Sequence, residues 1–246
     1  MHGWHRMLAK PNVFFVILIL VLGIGGAAIA AESSNNAESR FAAAARARDV
    51  TEDHVVLTVG NDPVMLHDFR EAVAIATGNI QFTDSEIEKH GDAAAPVKAR
   101  LELIQQTGVE AVAMASLIED LALYQAAQSS GIIVATEEVA NDVATTRAAV
   151  ESGSAPQLKA YIDVIGEERY WSSVYPPLVE RNRAIQQLWS NTVAGMEPAE
   201  ARRTWNAFKQ GTVRAAAISI EDPASVAPAT LESAMDYLTG LDTLPE

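Results

Sequence analysis

The stretch Leu117 to Val150, LIEDLALYQAAQSSGIIVATEEVANDVATTRAAV, decides how the chain is read. Leu117, Leu121 and Tyr124 recur at helical spacing and Ile118 widens the stripe, so one face of a helix is apolar. Gly131 stands where a left-handed residue ends that helix without a Cβ penalty. Ile132, Ile133 and Val134 form a β-branched run that continues a helix poorly and reads as a buried link. Thr136 then caps a second helix, with Glu137 and Glu138 in its first turn, where the helix dipole favours anions. The unit is a packing corner between two helices and carries no catalytic set.

Outward from the corner, most of the chain keeps the helical pattern. Val55–Val59 reads as a short strand that ends in the turn Gly60-Asn61-Asp62-Pro63. A helix is expected over Leu66–Thr77. The capping box Thr83-Asp84-Ser85-Glu86 predicts a separate short helix that Gly91 ends. Thr107-Gly108 predicts a kink or break between Val97 and Ser130. Ser154-Ala155-Pro156-Gln157 predicts another capped start, and Gly166 a stop. From Glu167 to Ala194 the pattern is helical, with a kink or break at Tyr175 imposed by Pro176-Pro177. A last helix runs from Glu197 to Gly211, and Val213–Ile220 reads as a strand that pairs with Val55–Val59. Such a two-stranded clip needs helices to pack on.

The order of these features resembles the N-terminal chaperone region of SurA-like, PpiD-like and PrsA-like exported folding factors. The corner carries it, and so does Val55 to Phe69, similar to the family's opening strand, turn and first helix. Here the turn is Gly60-Asn61 rather than Asn-Gly, and Met65 stands where a threonine usually caps the helix. Ala160 to Asn191 is similar to the late helices and Glu197 to Ile220 to the closing helix and strand, so the likeness covers about residues 55–220. It implies a mainly α, multi-helix domain over residues 54–221, closed by the β clip and preceded by an N-terminal hydrophobic helix. It also implies ATP-independent binding of unfolded polypeptides as a holdase. The alternative is a cell-envelope scaffold or adaptor that binds one folded partner. Family members commonly carry a parvulin prolyl-isomerase domain after the closing strand. Only 26 residues follow Ile220, so no enzymatic activity is expected.

The first 31 residues point to export. Arg6 and Lys10 precede a run of ten apolar residues, Val13–Leu22, and Ala28-Ile29-Ala30 fits a cleavage site. Counted to Ala31 the apolar stretch is nineteen residues, near the ~20 that span a bilayer. Residues 1–31 therefore read as a signal peptide cleaved after Ala30, or as a membrane anchor through residues 12–31. Either reading puts the rest in the periplasm or cell envelope. Residues 32–53 read as a linker or helical stalk, and 222–246 as a tail with one amphipathic stretch, Leu231–Leu241.

Composition removes several classes of function. The net charge is −14, which speaks against nucleic acid as a partner, since phosphate binding needs a basic face. The chain has no cysteine, and with it no disulfide, thiolate metal site or thiol nucleophile. Sequence motifs for hydrolases, zinc proteases, phosphate loops and dinucleotide binding do not occur, so no cofactor, metal or catalytic residue is expected. His54, His67 and His90 read as solvated or locally bonded, and the adjacent His67 and Asp68 as pointing to different helix faces. The carboxylate pairs Glu119/Asp120, Glu137/Glu138 and Glu167/Glu168 read as dipole complements and solubilising charge. Tyr161, Trp171, Tyr175 and Trp189 are the candidate client-binding residues. They, with Trp205, read either as anchors lining a groove or as core filler between helices. Tyr175, beside the double proline, is the one expected at the surface.

Overall fold

The protein is described over residues 34–90 and 95–240 in a computed structural model. Helix α1 (Ser34–Ala47) precedes the hairpin of β1 (Val55–Val59) and β2 (Asp62–Met65). Helices α2 (Leu66–His90), α3 (Ala95–Thr107), α4 (Val109–Ser129), α5 (Thr136–Glu151) and α6 (Pro156–Ile165) follow. A single turn α7 (Glu167–Arg169) and a π-helical turn (Tyr170–Val174) lead into α8 (Tyr175–Thr192). Then come α9 (Pro198–Ala215), β3 (Ile218–Ile220) and α10 (Pro228–Gly240). The mainly helical class is as expected. The signal or anchor readings of residues 1–31 lie outside the described residues. Among the described residues no helix is long and apolar enough to cross a membrane.

The β clip has three strands rather than two. The order is β2-β1-β3, antiparallel throughout, with Leu57 opposite Val64 on one side and Ile220 on the other. The turn after β1 comes back as a strand because Gly60 takes φ +58° and Gln125 of α4 pins it. Gln125 Nε2 donates to the Val59 carbonyl at 2.5 Å and to Asp62 Oδ2 at 2.7 Å. A Cβ on Gly60 would sit 2.3 Å from the Gln125 side chain. β3 is shorter than the expected Val213–Ile220 strand, because α9 continues through Gly211 and seats Val213 in the core.

Helix α4 is the hub. Its buried residues, among them Ala111, Val112, Met114, Ile118, Leu121 and Leu123, fall on every side, as in a helix enclosed by others. It touches α2, α3, α8, α9, α10 and β1. The first apolar cluster joins α4 to the sheet, through Val56, Leu57, Val59 and Val64, and to Ala234 and Tyr237 of α10. The segment read as a tail is therefore part of the core. The segment read as a linker or stalk is helix α1, packed on α2 and α6 with Ala44 and Ala45 buried. A second cluster gathers Leu158, Tyr161, Ile162, Tyr170, Tyr175 and Val179. A third, around Leu123, Ile185 and Leu188, is flanked by the stacked pair Trp205 and Phe208.

The corner folds as read at its first half. Gly131 takes φ +76°, its N–H donates to the Gln128 carbonyl, and Ile132 N–H to Ala127, which closes α4 in a Schellman motif. The second half differs. α5 starts at Thr136, but Ala135 is the capping residue and no side chain caps the helix. Ile133 is 86% exposed, while Ile132 and Val134 pack on the third cluster. Elsewhere α2 runs unbroken through Thr83, which is buried in mid-helix rather than starting a new one. α6 starts at Pro156 behind Ala155, again without the expected serine cap. The breaks at Gly108 and Gly166 are present, both with positive φ. The interruption expected at Tyr175 is present as a change of helical register: the π turn ends at Val174 and α8 starts at Tyr175. The prolines lie in the first turn of α8, where their missing N–H groups cost least, and the turn before them widens into the π register.

Candidate functional site

Three elements leave a groove of about 390 Å³ between them, in the size range of ligand pockets. α2 supplies His67, Asp68, Glu71 and Ile75, four residues that helical spacing puts on one stripe. α4 supplies Ser116, Leu117, Asp120 and Leu121. The π turn and α8 supply Ser173, Val174, Leu178 and Arg181, while Pro63 and Val64 of β2 and Arg48 close the ends. Apolar side chains make much of the wall, and charged pairs make the rest.

The charged pairs are fixed by partners on different elements. Arg48 binds Glu71 closely and reaches Asp68 Oδ1 at 3.1 Å. The Tyr161 hydroxyl donates to the other oxygen of Glu71. Burial pushes the Glu71 carboxyl above the usual carboxylate range, and Arg48 and Tyr161 offset that only in part. Burial likewise pushes the Tyr161 phenol far up, with the Glu71 charge acting in the same direction. Arg181 Nη1 donates to Asp120 Oδ2 at 2.7 Å, while Asp120 Oδ1 is buried without a hydrogen-bond partner. Burial raises the Asp120 carboxyl against the pull of Arg181. The adjacent Glu119 faces away, to Lys209 of α9 at 3.0 Å, so this carboxylate pair ties α4 to two helices. The reading of that pair as solubilising charge gives way to interhelical pairing.

His67 joins the rim to the loop before the sheet. Its Nδ1 lies 2.6 Å from Asp53 Oδ2 and its Nε2 3.0 Å from Asp68 Oδ1, so the neighbours read as divergent do meet. His54 pairs with Asp222 at 2.8 Å, which holds the start of β1 to the loop after β3. The hydrogen bond to Asp222 raises the His54 imidazole, and hydrogen bonds from Ser225, His54 and the Ala224 N–H bring Asp222 down to about 2. The side chain of His90 lies outside the described residues.

Of the four predicted client-binding aromatics, none lines the groove. Tyr161 is buried behind it and holds Glu71. Tyr175, expected at the surface, is only 2% exposed, because the π turn rotates it inward. There it stacks on Tyr170 with ring centres 5.4 Å apart, and its hydroxyl meets Thr146 at 2.8 Å. Trp171 is half-buried at the edge of this cluster, with its ring 4.8 Å from Tyr170 and 5.5 Å from Tyr175. Trp189 is 43% exposed on α8, away from the groove. The groove residues that sequence reading missed are Arg48, Asp68, Glu71, Asp120 and Arg181. Only the stripe of His67, Glu71 and Ile75 at four-residue spacing marks any of them in the sequence.

Among the described residues no cluster of His, Asp and Glu has the arrangement to hold a metal ion. Fold and site together define a mainly helical protein with a small antiparallel sheet and an open, part-apolar groove. No protein-family model, no curated protein and no solved structure matches this chain.

Proposed function

We propose that the chain is an exported, ATP-independent holdase that binds unfolded or partly folded polypeptides, with the groove between α2, α4 and α8 as the contact surface. The observation that carries this reading is the groove's make-up. Ile75, Leu117, Leu121, Val174 and Leu178 give it an apolar wall that stays open to solvent. Apolar side chains of a client bury there while its backbone keeps contact with water, which suits loose, reversible binding. Ordering a disordered client offsets much of the contact energy, so affinity is weak and breadth is wide. The resemblance to SurA-like folding factors and the export signal in residues 1–31 support the same reading.

The test is light scattering from a chemically unfolded model protein, with and without the purified chain and without ATP. Suppression is expected near stoichiometric ratios, reduced by Leu117→Gln, which puts an amide into the apolar wall. No suppression at any ratio removes the holdase. The second reading, a cell-envelope adaptor for one folded partner, then takes its place. The paired charges Arg48–Glu71 and Arg181–Asp120 favour that alternative, since a fixed pattern suits a single partner. It predicts a saturable complex with one protein and no effect on unfolded chains.

A further inference from the structure

We infer that the groove selects cationic segments: it takes an extended stretch in which a lysine or arginine stands among apolar residues, with the cation seated against Asp68. The inference rests on the polypeptide-binding reading and adds the chemistry that discriminates between clients.

Three observations carry it. First, three carboxylates of the groove, Asp68, Glu71 and Asp120, share two guanidinium groups, those of Arg48 and Arg181. Arg181 is committed to Asp120 and Arg48 is held closest by Glu71. Asp68 is the carboxylate with capacity to spare. Its side chain is 37% exposed, and Arg48 and the ring of His67 each take only its Oδ1. Second, the groove wall holds an unmatched acceptor: Asp120 Oδ1 is buried with no hydrogen-bond partner, and a ligand that supplies an N–H donor can satisfy it. Third, the chain carries a net charge of −14, so its field draws cationic segments in and turns anionic ones away before contact. An acidic segment would meet all three features in the unfavourable sense.

The experiment uses the full chain and three fluorescein-labelled peptides with the same apolar residues and a central Lys, Gln or Glu. Anisotropy titrations at low salt should order them Lys tightest, then Gln, then Glu. About a fivefold gap is expected between the first two, as for a half-exposed ion pair, narrowing in half-molar salt. Asp68→Asn should bring the Lys-to-Gln ratio close to one. Equal affinity for all three peptides overturns the cationic preference and leaves the polypeptide reading standing. A tighter Glu peptide overturns the preference too, and shifts the role to Arg48 and Arg181. Binding of none of them removes the polypeptide reading together with this one. Should Asp68→Asn fail to fold, the order of the three peptides on the unaltered chain decides the matter.

Discussion

The cluster around α4 and the cluster around Tyr161 hold the same fold by different means. Around α4 the contact is dry and apolar. Val56, Leu57, Val59, Val112, Met114 and Ile118 have essentially no exposed surface, and their energy follows from area removed from water. Around Tyr161 the packing is aromatic and polar at once. Tyr161, Tyr170, Trp171 and Tyr175 meet edge-to-face or stacked. One edge of that cluster is the largely buried Arg48–Glu71 pair, with side chains 12% and 15% exposed, and another is the Thr146–Tyr175 hydrogen bond. Apolar contact tolerates small shifts, whereas a buried ion pair loses most of its worth when one partner leaves. The second region is the one that borders the groove. A site that positions charges needs directional contacts, and the rigid α4 hub supplies the base for them.

The largest effect is expected from the dry side. Ile118→Ala opens a cavity in the middle of α4, inside the dry cluster. Urea unfolding should show a loss of ~4 kcal/mol, in the upper part of the range for such truncations. A loss under about 1 kcal/mol would mean that the hub repacks freely, and the contrast between the two regions would not hold.

Arg48→Met is expected to cost ~3 kcal/mol at neutral pH, because Glu71 stays buried without its cation. This loss carries a pH signature that a cavity lacks. Glu71 titrates above its ordinary value in the folded state, so the folded chain binds that proton more tightly than the unfolded chain. Removing Arg48 strengthens this imbalance. The deficit should therefore be largest above the folded value and shrink as pH falls toward the ordinary carboxylate range. Unfolding of the variant and the parent at a series of pH values checks it, with Ile118→Ala as the pH-independent reference. A deficit that stays constant with pH would place its origin in packing of the Arg48 stem.

The smallest effect sharpens the contrast inside the aromatic region. Tyr175→Phe keeps the stacking on Tyr170 and removes only the hydroxyl that meets Thr146. About 1 kcal/mol is expected, from the lost hydrogen bond and the stranded threonine hydroxyl. A Thr146→Val, Tyr175→Phe double variant should recover part of it, since both polar groups are then gone. Thermal unfolding of the two single variants and the double variant closes the cycle.

What could be read from the chain in advance was whatever a few consecutive residues settle among themselves. Gly108, Gly131 and Gly166 end helices because a positive φ is a local property, and all three stops stand. Local signals failed where a neighbouring element had more to offer. The Thr83 capping box is overruled because α2 packs on α1 and α4, with Thr83 itself buried and Arg40 of α1 bonded to the Gly78 carbonyl at 3.1 Å and Asn79 at 3.3 Å. Gly211 does not stop α9, because the next turn places Val213 in the core. The groove was illegible for a related reason. Arg48, Glu71, Asp120 and Arg181 come from four separate segments, and no spacing in the sequence announces their pairing.

By itself the sequence determined the mainly helical class, the glycine stops at Gly108, Gly131 and Gly166, and the acidic charge. Each depends on backbone preference or side-chain order within a turn or two. Only the tertiary structure decided that β2 adds a third strand, that α1 and α10 belong to the core, that Tyr175 is buried, and which carboxylate meets which guanidinium. Those outcomes depend on groups far apart in the chain, whose gain on meeting exceeds the few tenths to one kcal/mol that local propensity offers.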